Sequence, residues 1–212
     1  TASAYLCRSW PARPRKAACK MQTRDHALLG RFLLELKGER LDPVCRKLFL
    51  LGCIEPDWNP VTYVRGSLNY QMLHGHNAEN ARAHLMRLMA KLRKSGVRTP
   101  LQWFRFGAAL HYLADSFTFA HNRIFAGGLA EHHLYEKLLH PVFTTYLQAG
   151  NTESFPADEA CRERYLADQR SYQTDCRYIL GTALNLWDQL SIQWGAVGLT
   201  AQPKAQGFYG KV

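Results

Sequence analysis

The chain has 212 residues, 47% hydrophobic and 21% charged, enough apolar material for one sizeable core and a composition typical of globular proteins. No uninterrupted apolar run reaches the roughly 18 residues that span a bilayer, which excludes a transmembrane helix. The 27 Lys and Arg outnumber 17 Asp and Glu, for a net charge of +10, and this favours anionic partners: phosphate esters, nucleic acid or an acidic membrane surface. Because the basic residues are spread along the chain, a field that merely keeps the protein in solution fits equally well.

Residues 1–20 hold five Lys or Arg, no acid and two Pro, and read as a basic, poorly structured extension. They contain no apolar run of the seven or more residues expected of a signal-peptide core, which favours a cytoplasmic location. The folded domain is expected over 21–197, with a loose tail over 198–212. Met21 opens the first helical pattern, with His26 at its start. A second helix is expected over about 42–53, ending where Pro56 and Pro60 break the periodicity, so that Glu55 and Asp57 fall in a loop. Isolated acids in loops at a cleft are candidates for ligand or base, although each alone is more often an ordinary turn residue. After an irregular stretch with Tyr63, Tyr70 and Met72 comes His74, then His76 and Asn77, immediately before an amphipathic helix over 78–94. Leu85, Leu88, Met89 and Leu92 point inward from that helix, and His84 reads as solvent-facing.

The next stretch carries the chemistry. Thr99 is placed as an N-cap and Pro100 at the first helical position of a strongly apolar helix that runs through Phe104, Gly107, Ala108, His111 and Asp115. His111 and Asp115, four apart, project from one face. Burying an unpaired carboxylate costs several kcal/mol, whereas a shared cation satisfies both side chains. His121 lies six residues further on, roughly 9 Å along the axis and on a different face if the helix continues, so it is expected to serve a neighbouring site. A following helix repeats the spacing with His132 and Glu136, with Leu134, Leu138 and Leu139 expected inside. One such pair is common by chance; two on consecutive helices point to metal.

After a polar linker at 148–156, helical patterns follow over about 157–169 and 171–195, with Ile179, Leu180, Leu184, Leu186, Trp187 and Leu190 closing the bundle. The six Cys form no C-x-x-C pair; Cys53 reads as a core thiol, and Cys161 and Cys176 would pair only if adjoining helix ends meet. With no strand alternation and no Gly-rich phosphate loop, the fold class is all-α, a single-domain multi-helix bundle.

The order His26, Asp57, His76, His111, Asp115, His121, His132 and Glu136 resembles the zinc-dependent phospholipase C family, from about Met21 to Leu190. That family includes secreted bacterial phosphatidylcholine-hydrolysing enzymes and the catalytic domain of clostridial alpha-toxin, and shares its fold with single-strand-specific zinc nucleases. The specific part is Gly107, Ala108, Ala109, Leu110, His111, Tyr112, Leu113, Ala114 and Asp115, with His121 six residues later. The resemblance implies an all-helical fold with up to three Zn²⁺. One would be held by Asp57, His76, His111 and Asp115, with His74 as an alternative to His76. Asp115 would bridge to a second at His26, and His121, His132 and Glu136 would hold the third. Secreted members complete the His26 site with an amino-terminal Trp; here Trp10 stands 16 residues before His26 and would serve only after cleavage at Ser9, so two zinc ions are the firmer expectation.

The implied activity is phosphodiester hydrolysis by a metal-activated water, with Asp57 both ligand and guide for that water. Asn77, Asn122 and Tyr135 are the candidate supporting donors. A single-strand nuclease, with Trp58, Tyr63, Phe117 or Phe119 stacking a base, and a non-catalytic zinc-stabilised binding protein are the alternatives. The implied partner is a phosphate-ester substrate, a phospholipid headgroup or nucleic acid, with peripheral contact to an anionic membrane.

Overall fold

A computed structural model describes residues 23–38, 41–59 and 78–195. Among these the protein is all helical: α1 (Thr23–Lys37), α2 (Pro43–Trp58), α3 (Ala78–Ser95), α4 (Pro100–Ser116), a short 3₁₀ turn (Phe119–His121), α5 (Leu129–Gln148), α6 (Glu159–Ala167) and α7 (Tyr172–Gly195). No strand is present among the described residues, and no helix there is long and apolar enough to cross a membrane.

Helix α4 is the axis of the bundle. Its start is fixed by a capping box: Thr99 Oγ1 accepts from Gln102 N, and Gln102 Oε1 accepts from Thr99 N at 2.8 Å, with Pro100 in the first turn, where no N–H is needed. From Phe106 to Thr118 every residue is buried. The closest packing is between α2 and α4, at two glycines. A Cβ on Gly52 would stand 2.0 Å from the Phe104 carbonyl oxygen, and one on Gly107 would stand 2.1 Å from that of Phe49. Only residues without side chains permit this approach, and it brings the end of α2 beside His111. Phe49, Trp103, Phe106 and Trp187 pack around the same contact with ring centroids 5.2–5.9 Å apart, joining α2, α4 and α7.

Helix α2 extends beyond its expected end, through Pro56 to Trp58, and Asp57 therefore sits on a last helical turn instead of in a loop. Pro56 deprives only the Gly52 carbonyl of an i+4 donor, and Asn59 N still bonds Glu55 O at 3.0 Å, so the helix continues two residues past the proline. Asp42 caps its start by accepting from Val44 N and Cys45 N.

The expected inward face of α5 is also corrected. Glu136, Leu139, Phe143 and Leu147 are buried, whereas Leu134 and Leu138 are exposed. At 100° per residue, positions two removed from an inward Glu136 must face out. Leu85, Met89 and Leu92 of α3 are buried and Leu88 partly so. The α7 positions from Ile179 to Leu190 named above are all in the core. Cys161 and Cys176 are both free and buried, as are Cys45 and Cys53. Trp10, Tyr63, Tyr70, Met72, His74, His76 and Asn77 lie outside the described residues.

Candidate metal centre

Seven of the eight candidate ligands lie among the described residues, and the fold gathers all seven. His26 comes from the first turn of α1, Asp57 from the last turn of α2, and His111 and Asp115 from the C-terminal half of α4. Asp115 is the hub. Its Oδ1 lies 3.2 Å from His26 Nε2 and 3.8 Å from His121 Nε2, and its Oδ2 lies 3.3 Å from His111 Nε2. Asp57 Oδ1 stands 3.6 Å from His111 Nε2. The His26 and His111 rings stack at 3.7 Å.

The helix ends so that His121 returns to this cluster. At the end of α4 the last carbonyls are shared between tightened backbone bonds and side chains: Phe117 N and Thr118 Oγ1 donate to Ala114 O, Thr118 N donates to Asp115 O, and Asn122 Nδ2 and Arg162 donate to Ser116 O. The chain turns into the 3₁₀ segment, and His121 meets Asp115 instead of passing it. There His121 Nε2 lies 3.2 Å from Glu136 Oε1, and His132 Nε2 lies 3.0 Å from the same oxygen. His26, His111 and Asp115 form one compact donor group, and His121, His132 and Glu136 a second.

The donor chemistry fits a divalent cation. His111 Nδ1 donates to the Cys53 carbonyl at 2.9 Å, which fixes the tautomer and leaves Nε2 as the nitrogen presented to Asp115 and Asp57. Burial pulls the His111 pKa down, but the Asp115 and Asp57 carboxylates outweigh it and hold it above the ordinary imidazole value. Burial likewise raises the Asp115 carboxyl, yet His121, His111 and His26 together hold it well below the usual carboxylate range. Glu136 is lowered in the same way: burial opposes, and hydrogen bonds from His121 and His132 win. Both Asp115 oxygens and both His26 ring nitrogens are buried without a hydrogen bond of acceptable geometry, although carboxylate and imidazole stand 3.2 Å apart. Imidazole nitrogens and carboxylate oxygens converging without mutual satisfaction are a donor set for zinc or a similar ion.

Several surrounding contacts have no sequence signature. Thr23 Oγ1 donates to Asp57 Oδ2 at 2.9 Å. His140, one turn beyond Glu136, contacts the carboxylate of fully buried Asp25 through Nδ1. Burial pushes the Asp25 carboxyl up, and His140 and His26 only partly offset it. Buried Asp175 bonds Tyr135, Tyr165 and the Phe119 backbone. Of the supporting donors considered from sequence, Asn122 donates to Ser116 O at the end of α4 and to Thr118 O, and Tyr135 donates to Asp175. His84 is half-buried with its ring edge-on to Tyr112 at 5.2 Å, a correction to its solvent-facing assignment. Of the aromatics offered for stacking, Trp58 is 72% exposed, Phe119 half-buried, and Phe117 a core residue packed on Tyr165 and Tyr178.

Two adjoining imidazole and carboxylate groups enclosed by packed helices define an all-α protein with a candidate metal centre. Comparison with protein families agrees: the model of the family described as zinc dependent phospholipase C matches residues 26–185, which include every candidate ligand. The chain belongs to the zinc-dependent phospholipase C family and at that level is a phospholipase C-like hydrolase. No curated protein and no solved structure gives a significant match.

Proposed function

We propose that this protein is a zinc-dependent phosphodiesterase acting on phospholipid headgroups. The observation that carries the reading is the position of Asp115, whose two oxygens face His26, His111 and His121 at once and so link both donor groups. His26, Asp57, His111 and Asp115, together with His76, would hold metal on one side, and His121, His132 and Glu136 on the other. Zinc bound there supplies a water acidified toward a pKa of about 7 and positive charge against the phosphoryl oxygens. The chain's own residues set the geometry. The Cys53 carbonyl keeps the His111 proton on Nδ1, Thr23 holds Asp57 Oδ2, and Asp57 Oδ1 remains beside the donor group, where it can accept a proton from water.

A groove of about 570 Å³ is lined by Thr23, Arg24, Arg31, Trp58 and His140; none of the described candidate ligands lines it, and Thr23, which donates to Asp57 Oδ2, is its link to the centre. Two guanidinium groups and an exposed indole are suited to an anionic, partly apolar substrate. On the outer side of α2, Val44, Leu51 and Trp58 are exposed at intervals of seven residues and so lie nearly in one line. That ridge beside a basic groove supports peripheral contact with an anionic lipid surface.

The test is hydrolysis of a phosphatidylcholine analogue beside single-stranded DNA and RNA, run with zinc-loaded and chelated protein. Release of the phosphorylated headgroup by the loaded protein alone is expected. Cleavage of nucleic acid alone would assign the nuclease activity instead, and zinc binding without turnover of either would assign the non-catalytic role.

A further inference from the structure

On the first turn of α7, Asp175 is an acid buried to 1% exposure, and its carboxylate is surrounded by donors. Oδ2 accepts from the Phe119 backbone N–H at 2.9 Å and from the Tyr135 hydroxyl at 2.9 Å; Oδ1 accepts from the Tyr165 hydroxyl at 2.8 Å. Phe119 opens the 3₁₀ turn that ends in His121, and Tyr135 stands between His132 and Glu136 on α5. One oxygen therefore ties together the two segments that carry the second donor group.

We propose that Asp175 is a positioning residue: its Oδ2 bridge fixes the turn bearing His121 against the turn of α5 bearing His132 and Glu136, and thereby sets the metal affinity of that group. This rests on the reading of His121, His132 and Glu136 as zinc ligands. His121 and Glu136 share no element and are 15 residues apart, so their 3.2 Å approach is not fixed by local helix geometry. The Phe119 N–H can only donate and needs an acceptor at that point, whereas the two hydroxyls can turn. Burial pushes the Asp175 carboxyl up to about 6, against the bonds from Phe119, Tyr165 and Tyr135, so the core carries a costly acid there. Groups that bond a metal ligand directly change metal affinity by about 10- to 100-fold when removed; Asp175 acts one bond further out, through Phe119 and Tyr135, so the lower end of that range applies.

The experiment is a competitive zinc titration of the full chain against a chromophoric chelator. Asp175→Ala should weaken one zinc site by about 10-fold and leave the other as in wild type. Asp175→Asn should recover most of the loss, since its carbonyl oxygen can replace Oδ2 while its amide donates to a rotated Tyr165 hydroxyl. If Asp175→Ala does not fold, Tyr135→Phe removes half of the bridge without a cavity and should give a smaller loss at the same site. Glu136→Gln identifies that site by abolishing it, and adding Tyr135→Phe to Glu136→Gln should change nothing further. Wild-type zinc binding in Glu136→Gln would overturn the ligand reading and this proposal together. Loss of one zinc in Glu136→Gln, with wild-type titration in Asp175→Ala or in Tyr135→Phe, would overturn the positioning role alone. A uniform loss at both sites, tracking the fall in Tm, would also overturn it.

Discussion

The two donor groups reach similar compactness by different means. His26, His111 and Asp115 are all buried and arise where α1, α2 and α4 pack, so the core itself sets their spacing. His121, His132 and Glu136 come from a three-residue turn and the N-terminal half of α5, and the His132 side chain is 17% exposed. Where backbones meet at glycine, the site inherits the rigidity of close packing; at the rim, dedicated hydrogen bonds such as those to Asp175 do the holding. The first group should therefore fail through helix packing, the second through its supporting bonds.

The largest effect is expected from Gly107→Ala. Its Cβ would stand 2.1 Å from Phe49 O and 2.7 Å from Cys53 N, both backbone atoms, so α2 and α4 must separate. Overpacking of this kind costs about 1–3 kcal/mol, occasionally more. Because Cys53 supplies the carbonyl that orients His111, zinc at the first group should be lost along with thermal stability. Calorimetry with metal analysis checks this; an unchanged Tm and full zinc content would show that the packing does not control the site.

Single changes at the candidate ligands should divide the two groups. His111→Ala is expected to empty the first group and abolish activity, Glu136→Gln to empty the second, and Asp115→Asn to reduce both, because its oxygens face each group. Elemental analysis reads all three, and full zinc content in Asp115→Asn would remove it as the link. His140→Ala should behave differently: it leaves the Asp25 carboxylate buried without its imidazole partner, so a stability loss of about 1–3 kcal/mol is expected with zinc retained. Zinc loss in that variant would make Asp25 and His140 part of the centre itself.

Chelation should lower Tm, since ligand bound only to the native state adds to folding free energy. Hydrogen exchange sharpens the contrast between regions. In the chelated protein the amides of Phe119–His121 and the first turns of α5 should exchange faster, while those of α4 stay protected. Equal loosening of both regions would contradict a core-built first group.

What could be read from the chain follows the range of each interaction. The pairs His111 with Asp115 and His132 with Glu136 are visible because four residues make about one turn, and the cap at Thr99 and Pro100 is equally local. Proline misleads at Pro56: it normally ends a helix, but here it sits within the last turn, where a single acceptor is lost. Leu134 and Leu138 mislead because apolarity suggests the inward face, whereas Glu136 and its imidazole partners determine it. Asp25 and His140 are 115 residues apart, and Asp175 resembles any acid placed favourably in a first helical turn. Nothing local marks either as a buried carboxylate near the donor groups.

The smallest expected effect concerns pH. Burial raises the Asp175 carboxyl from an ordinary value of 3.8 to about 6, over the opposing bonds from Phe119, Tyr165 and Tyr135 and the nearby His121. A raised acid binds more protons in the folded than in the unfolded state between about pH 4 and 6. Its contribution to stability is therefore fully present below the unfolded pKa and lost as pH rises through the folded one. Asp175→Asn has no proton to lose, so the Tm advantage of wild type over this variant should shrink as pH is raised from 4 to 7, measured on zinc-free protein so that metal release does not intervene. A gap that stays constant over that interval would mean that the donors around Asp175 fully offset its burial, and the rim would then owe its geometry to an acid that costs the fold nothing.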